Sequence, residues 1–300
     1  DETDGHWSHI TSELLQRILR HAAVAAAVAV AVFFVSAPYA LLDVTAFVGD
    51  LTAQTRMANN AGLWPFTVQY IDTPAFLYQI NQTAVWGLGL PLGVIVWVAI
   101  PFTAVLVFAN KRTRRVDLLL MAWLVPTFLF LESFEVRFLR YVFPMMPVMI
   151  ILGARMLFWL WDNARSLSDR LIRSGCTFGR VVPISVIVLG VFVVAGTAFY
   201  SLAFQRVYAE DHPAVTASQW INETVPRGSA IVSDNHWDEY IPDLYRYNVW
   251  QYPVYERDTT AKMDELAARL SVSEYLVFYS SRPYASAARD PERFPLSNNY

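Results

Sequence analysis

The order of apolar and polar positions divides this chain into long apolar runs separated by short charged segments, with a more polar tail at the end. About 20 apolar residues cross a bilayer as a helix, and five stretches reach or approach that length. They run from Ala22 to Ala40, Leu88 to Ala109, Leu118 to Leu131, Leu139 to Trp161 and Val181 to Phe204. The third is short unless it continues through Phe134. Pro91, Pro101, Pro126 and Pro183 do not overturn these assignments, because neighbouring helices re-satisfy the freed backbone groups. From Gln205 the pattern becomes that of a water-facing α/β unit. "HPAVTASQWINETV" reads as a helix with Pro213 in its first turn, "SAIVS" as a strand, "TTAKMDELAARL" as a second helix and "EYLVFYS" as a second strand. Helix, strand, helix, strand predicts a small parallel-sheet domain, large enough to hold a core and expected to dock on the long loop after the first span.

The pattern gives a fold class: an α-helical polytopic membrane protein of about five transmembrane helices with a small C-terminal extracytoplasmic α/β domain. Its parts are an N-terminal segment 1–21, a transmembrane region 22–204 containing an outer loop 41–87, and the α/β domain 205–300. Lys and Arg fix the orientation, since cytoplasmic loops collect them. Arg17, Arg20, Lys111, Arg112, Arg114, Arg115, Arg165, Arg170, Arg173 and Arg180 fall on one side, against Arg56, Arg137 and Arg140 on the other. The N-terminus is therefore expected in the cytoplasm and the tail outside a multi-pass cell-membrane protein. The outer loop is rich in Trp, Tyr and Phe, which favours short interfacial helices along the headgroups.

Composition agrees. Hydrophobic residues make up 55% of the 300 and charged ones 16%, against roughly 25% charged in an average soluble domain, and the mean hydropathy is +0.32. A net charge of -3 gives no sign of a nucleic-acid partner, and none is expected. One cysteine, Cys176, excludes an intrachain disulfide and a CxxC metal site. The first residue is not Met and the last segment stops at "RFPLSNNY", so the chain is expected to be a piece of a longer protein.

The chemistry-bearing residues are few. "FLRYVFPMMP" (138–147) puts Arg140 and two prolines at the entry of the fourth span, with Arg137 just before it. Guanidinium pairs bidentately with phosphate oxygens, and positive charge is otherwise scarce on that face. Arg137 and Arg140 are thus candidates to hold a lipid phosphate; their plainer role is interfacial snorkelling with an ion pair to Glu132 or Glu135. Pro144 falls in the first turns of the span, and Pro147 is expected to bend it. Asp43, Asp50, Asp72, Glu132 and Glu135 are the outer carboxylates, none in a paired motif. "SDNHWDEY" gathers Asp234, His236, Asp238 and Glu239 around Trp237 after a predicted strand, with spacing that matches no established metal motif. Asn81-Gln82-Thr83 and Asn222-Glu223-Thr224 are glycosylation sequons. Arg155 alone comes near mid-membrane depth, which gives little to a transporter reading.

"RYVFPMMPVMIILGA" resembles the arginine–tyrosine and proline segment of the dolichyl-phosphate-mannose-protein mannosyltransferase-like (family 39-like) membrane glycosyltransferases of the GT-C class. "APYALLD" (37–43), 65–93, 217–242 and 273–300 look like the later half of bacterial members. The resemblance implies a C-terminal portion of an enzyme that transfers a sugar from a polyprenyl-phosphate donor to an acceptor on the extracytoplasmic face. It implies donor-phosphate binding by Arg137, Arg140 and Tyr141, and a catalytic acidic loop upstream of this chain, so no catalytic residue and no metal ligand is assigned here. A divalent metal is left open as cofactor, and the acceptor is a glycan, lipid or protein. Membrane lipids are the remaining partner. The alternative is a non-enzymatic membrane protein whose outer domain binds a glycan or protein partner.

Overall fold

The computed structural model describes residues 2–64, 66–234, 242–278, 285 and 287–299. The chain divides into two compact units, 1–57 and 58–300. In the first, α1 (Glu2–Ser36) is one unbroken helix, as its Ala-rich run favours. It ends where Pro38 follows and Ser36 Oγ turns back to donate to Phe33 O at 3.0 Å. The short α2 (Tyr39–Leu42) leads to α3 (Val44–Ala58). Asp43 caps α3, its Oδ1 accepting from Ala46 N at 3.0 Å. Phe33 and Phe47 meet at 6.1 Å between ring centroids, which joins α1 to α3.

In the second unit, α4 (Leu77–Gln82) runs into a π-helical turn, Thr83–Gly87. Then come α5 (Leu90–Ala109), α6 (Arg114–Glu132), a 3-10 turn (Leu139–Met145), α7 (Met146–Arg173) and α8 (Val181–Gln205). Among the described residues, four helical segments are long and apolar enough to cross a membrane: Leu15–Ser36, Leu90–Ala109, Leu139–Arg173 and Phe178–Thr224. The expected third span forms α6 but stays outside this set, because Arg114, Arg115, Asp117 and Glu132 bound its apolar run. The core lies between α5, α6 and α7, where Val96, Ala99, Leu124, Val142, Met145, Met149 and Leu152 are buried. Gly153 allows close approach of α5 and α7: a Cβ there would sit 3.1 Å from a Val96 methyl. Pro147 is not a bend. It occupies the first turn of α7, where its missing N–H has no helical partner to lose, while Pro144 lies in the preceding 3-10 turn.

The boundary that composition suggests at 204/205 falls inside this unit. Past it, α9 (Pro213–Thr224) is capped by His212, whose Nδ1 accepts from Ala214 N at 3.2 Å. The sheet is parallel throughout, in the order β2-β1-β3. β1 (Ala230–Asp234) is central, β2 (Asn248–Tyr252) and β3 (Tyr275–Val277) are its edges, and α10 (Thr260–Val272) lies between them in sequence. Ile231 and Val232 are buried, one in each of two separate apolar clusters, because successive strand residues face opposite sides of the sheet. The Thr259 N-cap accepts from Lys262 N at 3.1 Å. β2 is the strand that the sequence pattern did not predict.

Candidate functional site

The link between α6 and α7 is zipped to the start of the loop 58–87. Glu135 N and Val136 N both donate to Ala58 O at 3.0 Å, and Glu135 Oε2 accepts from Ala61 N at 2.8 Å. Val136 is fully buried with Ala61 and Tyr70. This places Arg137 inside the corner, its side chain 9% exposed, against a Glu132 side chain 1% exposed. Arg137 Nε reaches Glu132 Oε2 at 3.4 Å. Its Nη1 donates to Thr73 Oγ1 (2.9 Å), Glu135 O (3.1 Å) and Thr73 O (3.3 Å). Only Nη2 of this guanidinium lacks a partner among the described residues.

The turn that Arg137 grips is strained and held from several sides. Asp72 and Phe76 have φ of 58° and 61°; Asp tolerates the left-handed region, whereas a bulky Phe there is an outlier that the surroundings must enforce. Glu132 Oε2 accepts from Phe76 N at 2.6 Å, Arg137 binds Thr73, and Arg289 Nη1 donates to Ile71 O at 3.0 Å. Three charged side chains, two from the end of α6 and the link after it and one from the tail, thus fix residues 71–76. Arg293 Nη1 adds a bond to Gly62 O at 3.2 Å, so the tail meets the loop at two points.

Beside the turn stands an aromatic cluster. Tyr70 packs edge-on against Phe138 at 5.2 Å and Tyr78 at 5.9 Å, and Phe138 packs edge-on against Tyr141 at 5.5 Å. The Arg140 guanidinium lies over the Phe138 ring, 4.0 Å from its centroid, and 5.7 Å from that of Tyr141. Arg140 is exposed and makes no hydrogen bond or ion pair among the described residues. The two arginines that the sequence offers as equals are therefore different: Arg137 is enclosed by the protein, and Arg140 is presented on a ring platform.

Arg289 and Tyr78 join this site although sequence reasoning passed over both. Tyr78 is half-buried; burial pushes its phenol up, and the positive charges of Arg289 and Arg137 only partly offset that. It remains a neutral O–H donor at ordinary pH. No local signal pointed to Arg289, which lies 218 residues from the carbonyl it binds.

The other candidates scatter. Asp43 is a helix cap, Asp50 and Asp72 are exposed, and Asp234 is buried at the end of β1. His236, Trp237, Asp238 and Glu239 lie outside the described residues. Among the described residues no group of three His, Cys, Asp or Glu side chains comes together to hold a metal. Arg155 is closed by Asp117, whose Oδ2 accepts from its Nη2 at 2.8 Å, and by Thr113 Oγ1 at 2.9 Å. Asn81 is exposed on α4, but the Thr83 of its sequon is fully buried. Comparison of the chain with protein-family models, with curated proteins and with solved structures found no match.

Proposed function

We propose that this chain is part of a membrane glycosyltransferase that takes a sugar from a polyprenyl-phosphate carrier and passes it to an acceptor on the extracytoplasmic face of the cell membrane. In this reading the helices of spanning length hold the site at the membrane surface, and the α6–α7 link with the loop 58–87 faces outward. Arg140 binds the donor phosphate, Tyr141 lines the headgroup level, and Arg137 positions the loop that borders the site. The observation that carries the reading is the exposed Arg140 guanidinium, unpaired among the described residues and held over Phe138 and Tyr141. A planar cation with open donors suits a phosphate oxygen pair, and the ring beneath it limits its orientations.

The test is Arg140→Ala in the full-length protein, assayed with a polyprenyl-phosphate sugar. A charge-assisted contact to phosphate is worth roughly 1.5–3 kcal/mol, so kcat/KM should fall about tenfold to hundredfold with expression unchanged. Turnover equal to wild type rejects the assignment. A second reading, a non-enzymatic outer domain that binds a glycan, has one supporting feature. A cleft of about 700 Å³ on α9 is lined by Glu210, Asp211, Thr216 and the exposed Trp220, an aromatic face beside hydroxyl acceptors. Glycan binding by a full-length protein without transferase activity would favour it.

A further inference from the structure

We infer that Arg289 and Tyr78 form a second oxyanion subsite, beside the clamped turn 71–76, and that its ligand is a phosphate group. The inference rests on the proposed function only in taking phosphate as the ligand chemistry. Arg289 is exposed and uses one nitrogen, Nη1, to hold Ile71 O. Its Nε and Nη2 have no partner among the described residues. The Tyr78 hydroxyl likewise makes no hydrogen bond among them, while its ring is fixed edge-on against Tyr70.

The two residues come from distant parts of the chain and are brought together by the same turn. Arg289 is anchored on Ile71, Arg137 on Thr73 two residues later, and Tyr78 opens α4 just beyond Phe76. Phe76 stays at φ 61° because Glu132 accepts from its N–H while Arg137 and Arg289 hold the residues before it. Strain enforced from several sides is a way to pre-position donors. The positive charges of Arg289 and Arg137 both reach the Tyr78 phenol, which burial keeps protonated. It is therefore a donor when an anion arrives. Asp72, exposed on the same turn, opposes the anion, so recognition here works through directed N–H and O–H donors and not through net charge. A guanidinium edge and a phenol O–H together match a tetrahedral oxyanion that offers several acceptor oxygens.

The experiment uses the full-length protein in nanodiscs, titrated separately with inorganic phosphate and with polyprenyl phosphate carried in the bilayer. Wild type, Arg289→Ala, Tyr78→Phe and Arg140→Ala are compared by calorimetry, with thermal unfolding measured on each. Arg289→Ala should weaken phosphate about tenfold to hundredfold, and Tyr78→Phe about three- to tenfold. Tyr78→Phe should keep the wild-type melting temperature, because it removes a hydroxyl with no bond among the described residues and leaves the ring in place. If both losses appear with the lipid, the phosphate is carrier-borne; if only with the free ion, it belongs to a soluble group. Either supports the subsite. Wild-type affinity in Tyr78→Phe, whatever Arg289→Ala does, overturns it and leaves Arg289 as a latch for the tail, as does absence of phosphate binding in wild type. The donor reading is judged separately. Lipid binding that depends on Arg140 alone, with free-ion binding unchanged in Arg289→Ala and Tyr78→Phe, keeps that reading and removes this subsite; phosphate binding that depends on Arg289 and Tyr78 but not on Arg140 removes that reading and keeps the subsite.

Discussion

At the scale of the residue, Arg137 and Arg140 carry the contrast between what a linear pattern shows and what packing decides. Both are arginine and both sit within four positions of each other. Only the fold separates them, through Ala58, Ala61 and Thr73, which lie more than sixty residues away and bear no local mark of their role. Arg137 and Glu132 are mutually dependent: taking one partner from a buried pair leaves the other uncompensated, at a cost of roughly 3–5 kcal/mol. Arg137→Ala should therefore lower the melting temperature and the yield of folded protein, while Arg140→Ala changes neither. Arg137→Met combined with Glu132→Gln should recover part of the loss, since no buried charge is then orphaned. Thermal unfolding in detergent measures all three. Equal melting temperatures for Arg137→Ala and wild type would refute the clamp. The Arg137–Glu132 pair was legible, because the two lie five positions apart. The Thr73 and Ile71 contacts were not, because hydrogen bonds to a distant carbonyl leave no trace in residue spacing.

At the scale of the element, helices were the readable part. The apolar runs at 88–109 and 181–204 became α5 and α8, and 139–161 became a 3-10 turn followed by α7, because a long, mostly apolar run satisfies its backbone as a helix whichever way it faces. The α/β tail was read from its caps and β-branched runs: Pro213 and Thr259 open α9 and α10, and "SAIVS" covers all of β1 but its last residue, Asp234. β2 escaped because "NVWQY" is an edge strand exposed or partly exposed over its first four residues, so it lacks the apolar stretch that announced β1. The π turn Thr83–Gly87 also escaped. It matters because it brings the Ala84 backbone against α5 at Gly93, where a Cβ would lie 2.3 Å from Ala84 O and 2.4 Å from its Cα. Backbone cannot yield as a side-chain tip can, so Gly93→Ala must shift the turn or α5. We expect a loss of about 1–3 kcal/mol, the usual range for overpacking. Gly190, inside α8, meets nothing within 4 Å. Gly190→Ala should be neutral or stabilising by up to about 1 kcal/mol from helix propensity. A loss of stability in Gly190→Ala as large as that in Gly93→Ala would show that helix-wide glycine effects, not the close contact, are responsible.

At the scale of the second unit, the tail and the loop are tied by one chain of bonds whose last link is Asp258. Burial raises the carboxyl of Asp258. The Ser297 N–H, the Lys262 ammonium and the Ser297 hydroxyl outweigh it and hold the group below the usual carboxylate range. Oδ2 accepts from Leu296 N (3.0 Å) and Ser297 N (2.6 Å), and Oδ1 from Lys262 Nζ (2.9 Å) and Ser297 Oγ (2.8 Å). Asp258 N in turn donates to Arg293 O at 3.0 Å. The segment so held carries Arg293, bonded to Gly62 O and Tyr255 O, and lies four residues past Arg289. A carboxyl whose folded pKa is depressed adds stability that is present above its unfolded value, roughly pH 3.9. That stability is lost as pH falls through the lower folded value. Acid should therefore release the C-terminal segment from the loop below about pH 4, without requiring the helices to unfold. Asp258→Asn should produce the same release at neutral pH, because an amide cannot accept all four bonds. Trypsin should then cut after Arg289 and Arg293 at pH 7 in Asp258→Asn and spare both in wild type. Amide exchange over 287–298 should lose protection in the variant at pH 7, and in wild type only on acidification. A variant that keeps wild-type protection at both arginines would show that the loop, and not Asp258, holds the segment. If the segment does come free, phosphate affinity that depends on Arg289 should fall with it, since the guanidinium reaches the turn only while its own segment is pinned.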